Sequence, residues 1–163
     1  MKKIALILAL LVCVASMSMA ATAKKTEVAK PASGGFTGVS LNSIGCPSAR
    51  FDMGSFALEV GGSIASPASG TTNTTLIAKG EMPLNQISDN VRTYWAPAVM
   101  LRSIAGASTT TIMVLLGAEY TFTPKLAIFA DMTAFTLTSA SGTTSWQIGG
   151  NDPQIYTGGR LYF

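Results

Sequence analysis

The sequence predicts an all-β chain that forms an eight-stranded antiparallel up-and-down transmembrane β-barrel, preceded by a cleaved N-terminal signal peptide. Three observations lead to this fold class. The chain starts with a basic and then apolar leader, and its remainder consists of alternating apolar and polar segments bounded by turn residues. The charged residues of each segment also share one face, as expected for a barrel that is apolar outside and polar inside.

The first residues have the pattern of a secretory signal peptide. Lys2 and Lys3 precede an apolar run, and small residues then offer two alternative cleavage sites, after Ala20 or after Ala23. The run is well short of the roughly 20 apolar residues of a membrane-spanning helix, which argues against an anchor. The predicted organisation is therefore a signal peptide at 1–20 or 1–23, a periplasmic lead-in at 24–35 and a barrel domain at 36–163.

The cysteines limit how the mature chain is held together. Cys13 lies in the leader, where the preceding Val12 argues against a lipoprotein signal, because a small residue is expected there. Cys46 then remains alone in the mature chain, which excludes an internal disulfide. A secreted domain of about 140 residues without a disulfide must be stabilised by its packing and hydrogen bonding alone.

Composition narrows the function classes. Only 12% of the residues are charged, against about 25% in ordinary soluble domains. The chain contains no histidine, which excludes Ser–His–Asp and Cys–His catalysis and histidine-based metal sites. Its basic balance comes largely from lysines near the N-terminus, so nothing indicates nucleic-acid binding.

Turn residues divide the barrel domain into predicted strands. Thr123-Pro124-Lys125 forms a tight turn, since proline fixes φ and cannot donate to a ladder. Gly54-Ser55 breaks what would otherwise be one long strand with charges on both faces. The predicted strands are 36–41, 47–53, 56–65, 74–84, 91–103, 109–122, 126–138 and the terminal strand 154–163. The segment 85–90 is predicted as a turn, and the outer loops as 42–46, 66–73, 104–108 and 139–152.

The charged residues predict the inner face of the barrel. Within each predicted strand they share one parity, and the opposite parity is largely apolar. A lysine or arginine facing mid-bilayer lipid costs roughly 2–4 kcal/mol, so the charged face is predicted to line the lumen. This predicted lumen charge network comprises Arg50, Asp52, Glu59, Lys79, Glu81, Arg92, Arg102, Glu119, Asp131 and Arg160. The inward aromatic residues are predicted to be Tyr94, Phe129, Phe135, Tyr156 and Tyr162.

The last ten residues carry a resemblance. In this alternating strand Tyr156 takes a polar place, Gly158 a glycine place, Leu161 an apolar place and Phe163 the terminus. The pattern resembles the closing strand of Gram-negative outer-membrane β-barrels, which serves as their assembly signal. Residues 119–131 are similar to the hairpin on the periplasmic side of such barrels. From Gly35 to its end the chain thus resembles small eight-stranded outer-membrane barrels of the OmpA-type and OmpX-like class.

This resemblance implies a location in the cell outer membrane. It also implies outer-membrane lipids and the barrel assembly machinery as partners, with an unidentified surface ligand as a further candidate. Because five positive and five negative inward charges balance, and eight strands enclose a lumen that side chains can fill, the sequence favours a structural or surface-interaction component without catalysis, metal or cofactor. A narrow channel or carrier for small or apolar solutes, an outer-membrane lipid-modifying enzyme, and a soluble all-β domain are the alternatives.

Overall fold

The computed structural model describes residues 35–43, 45–66, 70–149 and 154–163. The predicted signal peptide and nearly all of the lead-in therefore lie outside the described residues. These ranges contain no helix long and apolar enough to cross a membrane. The strands of the described ranges are β1 Gly35–Asn42, β2 Pro47–Asp52, β3 Ala57–Ala65, β4 Asn73–Ser88, β5 Val91–Ile104, β6 Ala107–Thr123, β7 Leu126–Ala140, β8 Thr143–Ile148 and β9 Ile155–Tyr162.

The strands close into a ring of eight wall positions. Each strand from β1 to β7 pairs antiparallel with the next, and β9 pairs with both β7 and β1. β8 and β9 share one position, because β7 pairs with β9 from Leu126 to Met132 and with β8 from Phe135 to Ala140. The predicted eight-stranded antiparallel barrel is confirmed.

The barrel has two different ends. The terminal end holds Gly35, Phe163 and the β2–β3, β4–β5 and β6–β7 turns, and the distal end holds the β5–β6 and β7–β8 turns. The break predicted at Gly54 is confirmed, since this residue has a φ of 86° and separates β2 from β3. The turn predicted at 85–90 is wrong, because β4 continues to Ser88 through two irregularities in its pairing with β5.

Two of the predicted outer loops are mostly strand. Ala105-Gly106 connects β5 to β6 and Ser141-Gly142 connects β7 to β8, each as a turn of two residues. All four have positive φ, from 47° to 83°, the conformation of a type I′ hairpin turn. The prediction of a continuous loop at 139–152 missed β8, because Ser-Gly is a weaker hairpin signal than Asn-Gly.

A bulge in β7 reverses the faces of its distal half. Leu115 pairs with Thr133 and Val114 with Phe135, so Ala134 has no direct partner in β6. A bulged residue shifts the alternation by one place. Phe135 consequently shares the outer face with Val114 and Ile148, and its predicted inward position is wrong.

Outside this bulge the alternation separates two chemically different faces. In β6, for example, Leu115 is 2% exposed whereas the next residue, Leu116, is 43% exposed. The outer face near the terminal end carries aromatic pairs, with ring centroids 5.8 Å apart for Phe36–Phe51 and 5.6 Å apart for Phe36–Phe163. The core is thus inside the ring, and the apolar exterior is exposed.

Candidate functional site: the charged interior

Arg160 is the centre of an ion-pair network inside the terminal half of the barrel. Its side chain is almost completely buried, and its guanidinium pairs with carboxylates from three other strands. Nη2 donates to Glu59 Oε2 at 2.9 Å and also to Glu81, while Nη1 donates to Glu119. A guanidinium suits this position because its several donors lie in a fixed plane.

Lys79 forms a second centre next to the first. Its Nζ lies 2.8 Å from Asp131 Oδ2, 3.0 Å from Glu81 Oε1 and 3.5 Å from Glu59 Oε2. Arg50 binds the other oxygen of Glu81. Glu81 therefore lies between three cations, which compensates for the removal of its charge from water.

Two tyrosines extend the network around the ring. Tyr94 Oη donates to Asp131 Oδ1 at 2.6 Å, and Tyr162 Oη donates to Glu119 Oε2 at 2.8 Å. Arg92 Nε donates to Glu119 Oε1 at 2.8 Å, and the Arg92 side chain is 38% exposed. The network thus ends at Arg92 on its solvent-accessible side.

Neutral groups complete the shell around the charges. Ser40 and Ser48 both donate to Glu59 Oε1, at 2.7 Å and 2.5 Å. The Phe129 ring faces both main cations, with its centroid 4.2 Å from Arg160 Cζ and 4.8 Å from Lys79 Nζ. With these serines and the tyrosines included, all eight wall positions contribute a side chain.

The structure brings together eight of the ten predicted charges, four positive and four negative: Arg50, Lys79, Arg92 and Arg160 with Glu59, Glu81, Glu119 and Asp131. Asp52 and Arg102 lie outside this network. Asp52 caps the β2–β3 turn, where its Oδ1 accepts from the Gly54 amide at 2.7 Å. Arg102 is exposed near the end of β5, far along the barrel from the charged layer.

The four predicted assembly-signal residues divide between the two faces. Leu161 and Phe163 are exposed on the outer face. Tyr156 points inward, where its Oη donates to Gln154 Oε1 at 2.5 Å. At Gly158 an added Cβ would lie 2.6 Å from the Phe129 ring and 2.3 Å from the Leu41 carbonyl oxygen, so the glycine is required for close packing. The assembly role itself stays a prediction.

An apolar layer that the sequence did not predict lies above the charges, toward the distal end. Tyr94, Ala96, Ala98, Met113 and Leu115 pack together with 2% exposure or less. A cavity of only about 20 Å³ lies between Met113 and Leu115 of this layer and the side chains of Lys79 and Asp131. The lumen is thus filled by side chains at two successive levels. Inward small residues at 96 and 98 were the available sequence signal, since they leave room for the larger Met113 and Leu115 across the ladder.

A polar cup of about 190 Å³ follows at the distal end. We use "distal cup" for this cavity, whose inward lining includes Met100, Thr111, Thr133, Thr136, Thr138 and Gln147. None of these side chains is ionisable, which distinguishes the distal cup from the charged layer. Among the described residues no group of three or more histidine, cysteine, aspartate or glutamate side chains has an arrangement able to hold a metal ion.

Comparison with solved structures supports the fold. The chain is similar to the crystal structure of Neisserial surface protein A (NspA), with a TM-score of 0.51 and 15% sequence identity, over 78% of this chain and 92% of that chain. This identity supports a shared fold and nothing finer. No family model and no curated protein sequence matches the chain.

The close packing around Tyr94 generates a first prediction. At Gly117 an added Cβ would lie 2.2 Å from the Tyr94 ring and 2.5 Å from Asp131 Oδ1, whereas at Gly80 it would meet nothing within 4 Å. Gly117→Ala should lower the free energy of unfolding by about 1–3 kcal/mol, because the packed interior cannot absorb the extra carbon. Gly80→Ala is the matched control and should raise it by about 0.5–1 kcal/mol. Urea unfolding followed by tryptophan fluorescence measures both, and equal effects would contradict the packing.

The ion-pair centre generates a second prediction. Arg160→Gln leaves Glu59, Glu81 and Glu119 short of a cation, and should destabilise the fold by about 3–5 kcal/mol. Adding Glu81→Gln should restore part of that loss, which a double-mutant cycle would measure. Arg102→Gln, at an exposed arginine, should change the unfolding free energy by no more than about 0.5 kcal/mol. Additive effects of the first two substitutions would contradict the coupling.

Proposed function

We propose that the chain is an outer-membrane protein that crosses the bilayer as a closed barrel, with a structural or surface-interaction role and without catalysis. The observation that carries this proposal is the sorting of charge: eight ionised side chains form one balanced network inside, and apolar side chains cover the outside. The opposite arrangement is expected of a domain surrounded by water.

The height of the apolar exterior supports the membrane placement. On β6 the outward apolar residues run from Phe122 to Ile112, and the next outward residues are Thr110 and Ser108. Ten residue steps at about 3.4 Å and a tilt of about 45° give roughly 24 Å. Transmembrane barrels have an apolar band about 25 Å tall, so the band matches a bilayer.

The two ends of the barrel fit the orientation of an outer-membrane protein. Gly35 and Phe163 lie at the same end, which in bacterial outer-membrane barrels is the periplasmic end. The leader would take the chain across the inner membrane, and the terminal strand would engage the barrel assembly machinery. The shared fold with a protein named for the cell surface supports the same location.

The filled lumen favours this role over a channel. Apart from Arg92, the side chains of the charged layer and of the apolar layer are buried, whereas a conducting barrel needs a water-lined passage. We expect the purified protein to give no discrete conductance steps in a planar bilayer. Steps that disappear in an Arg160→Gln variant, relative to Arg102→Gln, would contradict the closed lumen and revive transport.

The membrane placement has its own test. Leu116→Arg puts a charge in the middle of the apolar band and should destabilise the barrel in lipid vesicles by about 2–4 kcal/mol. Ser108→Arg, on the same face of the same strand near its distal end, should cost no more than about 1 kcal/mol. Cell fractionation and a gel-mobility shift on boiling first establish that the protein is in the outer membrane and folded as a barrel. Urea unfolding in lipid vesicles then measures the stability of both variants. Equal tolerance of the two arginines would contradict a bilayer around this band.

A further inference from the structure

The ladder between β4 and β5 has a gap in the middle of the wall. Lys79 pairs with Ala98 and Met82 pairs with Trp95, but residues 80–81 and 96–97 between them form no ladder pair, although the register is unchanged. By this register Gly80 is opposite Pro97. Proline has no backbone N–H and is rare in the middle of a sheet, so the sequence itself accounts for the gap.

The missing N–H of Pro97 leaves a backbone carbonyl without its ladder donor. The ladder between β5 and β6 is complete, and Pro97 pairs there with Val114, so the missing N–H belongs to the β4 side. The two residues of a hydrogen-bonded antiparallel pair exchange both bonds, so the carbonyl that loses its donor is that of Gly80. Within hydrocarbon a backbone carbonyl without a donor is strongly unfavourable. The Gly80 carbonyl can therefore accept a hydrogen bond from a donor outside the wall.

Gly80 also forms a dent in the outer face of the wall. Lys79 and Glu81 are buried inside the barrel, so Gly80 between them faces outward. A Cβ added to Gly80 would meet nothing within 4 Å, whereas its ladder neighbours Leu58 and Pro97 carry side chains. The dent thus leaves the backbone of Gly80 open to the surroundings of the barrel.

Trp95 lies on the same face beside this dent. Tyr94 and Ala96 are buried inside the barrel, so Trp95 between them faces outward. Its ladder partners Met82 and Leu116 are both apolar, and Leu116 lies in the middle of the apolar band. The indole N–H is a hydrogen-bond donor only, and away from water it usually has an acceptor. A donor and an acceptor therefore lie side by side on this part of the outer face.

The dent and the tryptophan lie at nearly the same height. The ladder connects Gly38 of β1, near the terminal end, strand by strand to Thr136 of β7, near the distal end. Each step to the next strand therefore rises. For strands about 4.8 Å apart and tilted by about 45°, the step from Gly80 to Pro97 rises about 3 Å, and the two residues from Pro97 to Trp95 descend about 5 Å. Trp95 is thus within about 2 Å of the height of Gly80 and roughly 8 Å from it around the wall.

We propose that two copies of the chain associate side by side in the membrane, with Trp95 of each copy in the dent at Gly80 of the other. A two-fold axis along the membrane normal preserves height and exchanges left and right, so it brings each tryptophan opposite the other copy's glycine. Each indole N–H would donate to the Gly80 carbonyl that lacks its ladder donor. This inference rests on the membrane placement proposed above.

A second copy is specified because one patch of the chain holds both halves of the contact. The patch offers a projecting ring and a dent, and a donor and an acceptor, in positions that a two-fold axis interchanges. Close approach at small residues and hydrogen bonds between segments are the features that drive association within membranes.

The position of the two-fold axis gives a direct test by disulfide formation. The axis passes between Gly80 and Trp95, and Met82, which pairs with Trp95, lies next to it on the terminal side. The chain without its predicted leader is refolded into phosphatidylcholine vesicles with Cys46→Ser, which removes the free cysteine of the described residues. Met82→Cys in this background places the thiols of the two copies against each other. Met132→Cys, on the outer face of β7, is the matched control.

Mild oxidation should link the Met82→Cys chains into dimers at least about tenfold faster than the Met132→Cys chains, because association raises the effective concentration of the first thiol only. Disulfide formation requires Cβ atoms about 3.5–4.5 Å apart, so random collisions contribute little. Gel electrophoresis without reducing agent measures the linked fraction with time.

Two further substitutions test the contact itself, with cysteine at position 82 as the reporter. Gly80→Leu fills the dent and should slow the linking to the rate of the control, without lowering the free energy of unfolding of the single chain. Gly159→Leu, on the outer face of β9 on the opposite side of the ring, should leave the rate unchanged. Trp95→Phe removes the indole donor and should slow the linking about tenfold, whereas Trp146→Phe should not.

The contrary outcomes separate the dimer from the membrane placement. Equal linking of the Met82→Cys and Met132→Cys chains, or linking that Gly80→Leu and Trp95→Phe leave unchanged, would overturn the dimer alone. A product of the Met82→Cys chain in cell envelopes whose mass is not twice that of the chain would overturn the second copy and indicate a different membrane protein. Equal tolerance of arginine at Leu116 and Ser108 would overturn the membrane placement and the dimer together.

Discussion

The requirement that every ionised group inside the barrel has a partner governs the rest of this structure. Arg160 lies on the last strand, and its partners Glu59, Glu81 and Glu119 lie on three others. Removing such groups from water costs several kcal/mol each unless they are paired. The ring must therefore be closed for the network to exist, since the partners of Arg160 come from both sides of the β9–β1 junction.

The same requirement restricts the register of the strands. Arg50 lies directly opposite Glu59, which lies opposite Lys79. A slip by one residue between any two of these strands would turn one member of the set outward. The remaining members would then be unpaired charges inside the barrel, and the displaced member would be a charge on the apolar exterior. Both changes are unfavourable, so the register is strongly favoured. Structural specificity and membrane compatibility thus depend on the same side chains.

The face of a residue could be predicted from the sequence, but its height along the barrel could not. Arg102 and Arg92 lie on the same face of β5, but they are ten residues apart, so Arg102 lies beyond the charged layer. Alternation along a strand shows which face a side chain takes and not how far along the barrel it lies. Phe135 was misplaced because a bulge at Ala134 has no sequence signal as distinctive as glycine. β8 was missed because the short Ser-Gly turn that creates it resembles ordinary loop sequence. The apolar layer was missed because alanine is common on either face of a strand. Ala96 and Ala98 mark an apolar layer only once their ladder partners, Leu115 and Met113, are known.

The shortest part of the wall depends most on the interior network. β2 has only six residues, so its ladders to β1 and β3 are short, but Ser48 and Arg50 hydrogen-bond to Glu59 and Glu81 on the next strands. Ser40 on β1 reaches Glu59 as well. Charge-assisted hydrogen bonds are roughly twice as strong as neutral ones, so these contacts compensate for the shortness of the hairpin's ladders. Strands as short as β1 and β2 are compatible with a closed barrel because their side chains bind the interior network near the terminal end. At the distal tip of the same hairpin the contacts are neutral: the Ser43 amide donates to the Thr157 carbonyl of β9 at 2.7 Å, and Cys46 Sγ lies 3.4 Å from Ser63 Oγ of β3.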